Sequence, residues 1–104
     1  MNAEQQIEKN IIDSTSEFFK ILADNTRLHI INLLLDREMF VNDIANALNM
    51  TNSSISHQLK KMKDNDVVKS RKDGKEVYYS LNDDHVKSIF LTTIDHIKHS
   101  KEGK

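Results

Sequence analysis

Three of the five histidines in this chain fall within one stretch, DDHVKSIFLTTIDHIKH, residues 83–99. Imidazole nitrogens and carboxylate oxygens ligate divalent cations, so Asp83, His85, His96 and His99 are candidate metal ligands. Their spacing decides how they could act. On an α-helix each residue turns by about 100° and rises by about 1.5 Å. His85 and His96 then lie within about 20° of one azimuth, with His99 about 60° to the other side of His96, so all three share a stripe. The same rise puts His85 and His96 about 16 Å apart along the axis. One ion with ligand bonds of about 2 Å cannot reach both. Within one helix these are therefore two half-sites: Asp83 with His85 at one end, and His96 with His99 at the other.

A second copy of the helix, running antiparallel, would bring opposite ends together. A two-fold dimer would then hold two sites, each completed across the interface. Three imidazoles and one carboxylate suit tetrahedral Zn(II), with Co(II) as a substitute. The competing reading is a row of polar residues on the solvated side of an ordinary helix. Ile89 lies beside the stripe, next to an apolar arc of Val86, Phe90 and Ile97, which favours an interface.

A second chemical feature is basic. Residues 1–50 carry four basic and eight acidic side chains, residues 51–81 seven basic and four acidic. A positive segment in a chain of net charge −1 points to one face that meets a polyanion. Within it, TNSSISHQLKKMK (51–63) reads as a helix whose Ile55, Leu59 and Met62 face inward. Asn52, Ser53, Ser54, Ser56, His57 and Lys60 are left outward, small and polar where a helix would approach base edges or phosphates. Gln58, Lys61 and Lys63 can add contacts. His57 has no second ligand on its face and reads as a polar DNA-facing residue.

The elements that must hold these residues follow from periodicity. Ile7, Ile11, Phe18 and Leu22 predict a first amphipathic helix over 4–23. Asp24 or Asn25 can cap a second helix with a buried stripe of Leu28, Ile31, Leu34 and Leu35, in which His29 is expected to be structural. Val41, Ile44, Ala45 and Leu48 make a short third helix. Asn49-Met50-Thr51 reads as a tight turn, with Thr51 as N-cap of the fourth. The period then changes to that of strands. Val67–Arg71 and Glu76–Leu81 flank Lys72-Asp73-Gly74-Lys75, and Asp73-Gly74 between two such runs is a hairpin signal, since glycine tolerates the positive φ of such turns. A last helix runs from Asn82 or Asp83 to about Ser100.

The predicted class is mainly α with a β-hairpin wing: a winged helix-turn-helix of order α-α-α-α-β-β-α. It forms a single domain over 1–104, with the helix-turn-helix at about 41–63 and the wing at about 67–81. Arg71, Lys72 and Lys75 on that wing are candidate DNA contacts. Absences narrow the function. There is no cysteine, hence no disulfide or thiolate site. There is also no phosphate-binding glycine loop, paired catalytic carboxylate or nucleophile with a base, and four protein ligands would close a metal site to catalysis, so the expectation is no enzyme. No apolar run reaches membrane-spanning length, and MNAEQQIEKNIID lacks the basic and apolar regions of an export signal. A cytoplasmic protein without membrane contact or a small organic substrate is expected.

The stretch TNSSISHQLKKMK, the basic wing, and the pattern Asp-x-His, ten residues, His-x-x-His together resemble the ArsR/SmtB family of metal-sensing repressors. The likeness runs over about residues 14–99, and it is strongest to the zinc- and cobalt-responsive branch. The resemblance implies a homodimer paired through its first and last helices, with zinc bridging the paired last helices. It places Ser53, Ser54, Ser56 and His57 against double-stranded operator DNA. It further implies that the metal-free dimer binds the operator, and that zinc weakens binding and releases an efflux or sequestration gene. The third-helix stretch reads MFVNDIA without cysteine, against thiophilic metals, and SKEGK after His99 adds no histidine of the kind nickel sensors recruit. A winged-helix regulator responding to Ni(II), or to no metal, is the alternative.

Overall fold

The structure, a computed structural model, describes residues 3–102, with side chains from Glu8 to Lys101. Ile7, expected on the inner face of the first helix, lies outside the described side chains. Among the described side chains, the first helix, α1 (Ala3–Leu22), reaches the core through its C-terminal half, where Phe18, Ile21 and Leu22 are half-buried. α2 (Asn25–Leu33) is started by Asp24, whose carboxylate accepts the Arg27 N–H at 3.0 Å and satisfies an otherwise unpaired donor.

The expected stripe of α2 is corrected in part. Ile31 and Leu34 are buried, but Ile30 joins them, while Leu28 is exposed and Leu35 is half-buried. The apolar residues of α2 crowd more than one azimuth, and the core takes the Ile30 side. His29 is also exposed rather than structural.

A strand that the sequence reading lacked comes next: β1 (Met39–Phe40), only two residues long. α3 (Val41–Leu48) follows directly and ends at Asn49, which adopts the left-handed conformation (φ 55°, ψ 47°). That lets the Met50 N–H return to the Ala45 carbonyl at 2.9 Å, closing the turn. Asparagine tolerates this region better than most residues. α4 (Asn52–Asp64) then begins at Thr51, whose hydroxyl accepts the Ser54 N–H at 3.1 Å as expected. Ile55, Leu59 and Met62 are fully buried, so the inner face of this helix was assigned correctly.

β2 (Val68–Asp73) and β3 (Glu76–Leu81) form the wing hairpin, and β1 adds to its other edge, giving an antiparallel sheet of order β1-β3-β2. Asp73 pairs with Glu76, so the turn centres on Gly74-Lys75 rather than on Asp73-Gly74. Gly74 (φ 63°) supplies the positive φ at the first central position. α5 (Asp84–Glu102) closes the chain. The architecture is a winged helix-turn-helix of order α-α-β-α-α-β-β-α, differing from expectation by β1.

The core joins α2, α3, α4 and the base of the wing, and α5 contributes Val86 to it. Outside it, α1 and α5 leave apolar side chains uncovered: Ile11, Ile12 (67% exposed), Phe19, Leu91, Ile94 and Ile97. The radius of gyration is 16.0 Å, against about 13 Å for a compact domain of this length. Much of each of the two long helices extends beyond the folded core.

Candidate functional site

The recognition surface follows from the burial of α4. With one face locked into the core, Asn52, Ser53, Ser56, His57, Lys60, Lys61 and Lys63 are exposed and Ser54 is half-buried. Asn52 Nδ2 donates to Asn42 Oδ1 at 3.4 Å, and Lys60 pairs with Asp64 one turn on at 3.4 Å. Both are weak, exposed contacts that a polyanion can displace. Lys72 and Lys75 are exposed near the tip of the wing.

Two residues grouped with these are held elsewhere. Gln58 is half-buried, and its Oε1 accepts from Arg27 Nε at 2.9 Å; Arg27 also donates to the Ile21 carbonyl at 3.1 Å. That contact braces α4 against α1 and α2 and occupies the Gln58 carbonyl. Arg71 is engaged by Glu38 and stacks on Tyr78. Sequence reading missed Arg27 and Glu38, whose partners lie 31 and 33 residues away, beyond any periodic signal.

The four candidate ligands occupy α5 and its cap. Asp83 caps α5, accepting the Val86 N–H at 3.1 Å, while Asn82 Nδ2 donates to its other oxygen at 3.2 Å. The Val86 N–H, helped by Asn82 and His85, holds the Asp83 carboxyl below its usual 3.8. It is thus the ionised form that a cation requires. His85 Nδ1 lies 3.6 Å from Asp83 Oδ1, and its side chain is 92% exposed. At the far end, His96 is exposed, and His99, 74% exposed, places Nδ1 2.9 Å from the Asp95 carbonyl. A carbonyl can only accept, so a neutral ring making this hydrogen bond donates from Nδ1 and leaves the Nε2 lone pair that an imidazole ligand uses. Asp83 and His85 are brought together; His96 and His99 are not brought to them. Among the described residues no group of three or more such side chains could share an ion within one chain.

Beside this stripe, α5 is anchored at one more point. Lys87 Nζ donates to Asp36 Oδ1 at 2.7 Å, and that hydrogen bond raises the Lys87 pKa above its usual 10.5. A groove of about 420 Å³ opens between α1, α2 and α5, lined by Phe19, Leu28, Ile31, Phe90, Ile94 and Ile97.

Residues 24–70, from the cap of α2 to the first half of the wing, match the family model for bacterial regulatory proteins of the arsR family. A cadmium resistance transcriptional regulatory protein CadC homolog from Staphylococcus aureus is 39% identical over 88 residues, covering 84% of this chain and 73% of that protein. The chain belongs to the ArsR family. A transcriptional repressor SmtB homolog from Synechocystis is 40% identical over 85 residues, covering 82% of this chain but 64% of that longer protein. Among solved structures, a homodimeric winged helix-turn-helix DNA-binding domain from Mycobacterium bovis superposes with a TM-score of 0.91 at 26% identity. The superposition covers 100% of this chain and 96% of that one. The ArsR family is one of DNA-binding transcription regulators, not enzymes. Among the described residues no helix is long and apolar enough to cross a membrane.

Proposed function

We propose that this chain is a metal-responsive transcriptional repressor whose regulatory ligand is Zn(II), with Co(II) as a substitute. Two copies pair through α1 and α5, and their α4 helices and wings bind operator DNA. Asp83 and His85 of one copy, with His96 and His99 of the other, hold the ion. Metal binding there lowers DNA affinity and releases a metal efflux or resistance gene. The observation that carries this reading is the split ligand set. Two exposed pairs sit about 16 Å apart on one stripe of α5, beside the apolar side chains Leu91, Ile94 and Ile97, which the described residues leave partly exposed. An isologous contact between two such helices completes two ligand sets at once.

The residues fit the ion. Three imidazoles and an ionised carboxylate make a four-coordinate N/O set, and the Asp95 carbonyl beside His99 Nδ1 favours the neutral tautomer that presents Nε2 to an ion. A bound cation would supply a cross-link between the two α5 helices. The residues of α4 and the wing lie on other elements, so metal and DNA do not compete for side chains and must act through a coupling free energy. A hundredfold loss of operator affinity corresponds to about 2.7 kcal/mol, and reciprocity requires DNA to weaken metal binding equally.

Fluorescence anisotropy of labelled duplex DNA from the chain's own promoter tests the reading, with protein titrated in chelator and again with one zinc per protomer. Tight binding in chelator, weakened tenfold or more by zinc, is expected. Equal binding in both would leave a winged-helix regulator that does not respond to zinc.

A further inference from the structure

Arg71 sits on β2 directly opposite Tyr78 of β3, and its guanidinium is committed on three sides. Nε donates to Glu38 Oε2 at 3.2 Å and Nη2 to Glu38 Oε1, the two-pronged fit of guanidinium to carboxylate. The guanidinium carbon lies 4.8 Å from the centre of the Tyr78 ring, in cation–π range. Asp73 Oδ2 is 3.8 Å from Nη1. With two carboxylates around it, this cation presents no net positive charge to a phosphate. Lys72 and Lys75 are different: both are exposed and make no ion pair among the described residues.

The contacts continue inward. Tyr78 packs edge-on against Phe40, with ring centres 5.7 Å apart at 81°, and Phe40 pairs with Tyr78 in the β1–β3 ladder. Phe40 is also the N-cap position of α3, the first helix of the helix-turn-helix, and makes no side-chain cap bond there. Glu38 stands two residues before it. A continuous path therefore runs from the wing, through Arg71 and Tyr78, to the residues that enter α3. A lone exposed ion pair contributes little; the two-pronged geometry, the ring stack and the strand pairing set this one apart.

We propose, on the footing of the DNA-binding reading above, that Arg71 is a positioning residue. With Glu38 it clamps the wing to the entry of α3, so that Lys72 and Lys75 meet the backbone at a fixed distance from α4. It makes no phosphate contact of its own.

The test is operator affinity as a function of salt, in chelator, for the wild type, E38Q, R71Q, E38Q/R71Q and the control K72Q. A clamp predicts that E38Q and R71Q each weaken binding by about threefold to tenfold. The double variant should be no worse than either single one, because the partners act as a unit. The dependence of log affinity on log salt should keep its slope in all three, whereas K72Q should reduce it by about one. A phosphate-contacting Arg71 predicts the reverse: R71Q reduces the slope by about one, and E38Q tightens binding by freeing the guanidinium. Either of those results overturns the proposal. The exchanged variant E38R/R71E guards against misfolding of the single ones. A clamp recovers part of the lost affinity in it, while a DNA contact makes it the weakest binder of the set. Failure of the wild type to bind would remove the repressor reading itself; wild-type binding with independent, additive effects of E38Q and R71Q would remove the clamp alone.

Discussion

The split of the ligand set between the ends of α5 makes a complementation experiment possible. In one variant Asp83 and His85 are both replaced by alanine; in the other, His96 and His99 are. If each site draws two ligands from each copy, either variant alone forms dimers in which both sites hold only two of four ligands. Mixing them in equal amounts and allowing subunits to exchange makes about half the dimers mixed. In a mixed dimer one site receives all four ligands and the other none. The mixture should then bind about one ion per four protomers with wild-type affinity, where neither variant alone binds tightly. Titration with Co(II), followed through the visible absorption of a tetrahedral site, reads both stoichiometry and geometry. The magnitude rests on the distance of about 16 Å between the half-sites, which no single ion bridges. A mixture that binds no more than its components would refute the shared site. So would full tight binding by either variant alone.

Three further outcomes follow from other parts of the fold. Ile97→Glu places a charge in the uncovered face of α5, where Ile97 is 47% exposed in the single chain. With about half of the side chain left to bury, two-fold pairing loses about 0.7–1.5 kcal/mol per copy, so sedimentation should show the dimer dissociating at least about tenfold more readily. Asp66 holds a positive φ of 58° at the end of α4, where the Val67 N–H returns to the Met62 carbonyl. Asp66→Gly should therefore raise stability by about 0.5–1 kcal/mol in denaturant unfolding. The Arg71 hydrogen bond holds the Glu38 carboxyl below its usual 4.5. Its contribution is then full above that value and lost as pH falls through the depressed folded-state value. Melting curves of the wild type and E38Q should differ near neutral pH and converge once the pH falls below the depressed folded-state value.

What the sequence disclosed, and what it hid, divides along physical lines. The helix-turn-helix was legible because Ile55, Leu59 and Met62 repeat with the period of a helix and Thr51 marks its start, both local signals. The wing was legible from its strand-like runs, but a one-residue difference in register moved the turn to Gly74-Lys75. β1 has two residues, too few for any period, and exists because β3 offers Met39 and Phe40 a free edge. Leu28 and Ile30 show the limit of periodicity in a helix with apolar residues on several sides: pattern alone does not say which of them the core takes. The ligand types and spacing were open to inspection, and so was the conclusion that one chain cannot unite them. Arg71 was grouped with the DNA contacts by charge and neighbourhood, because nothing local announces a carboxylate 33 positions earlier. Gln58 was grouped with them in the same way, its partner Arg27 belonging to another helix.

The uncovered faces of α1 and α5 have a consequence for how such a regulator would count its own copies. When the DNA-binding form must be assembled from two chains, its abundance below the dissociation constant rises with the square of chain concentration. Halving the number of chains in a cell would then cut operator occupancy toward a quarter rather than a half. Gene dosage, dilution at division and the rate of synthesis would all be felt more steeply than for a monomer, before any metal enters. The same apolar surface that leaves Ile12 and Ile94 in water in the single chain would give the regulator a sharper threshold without further machinery.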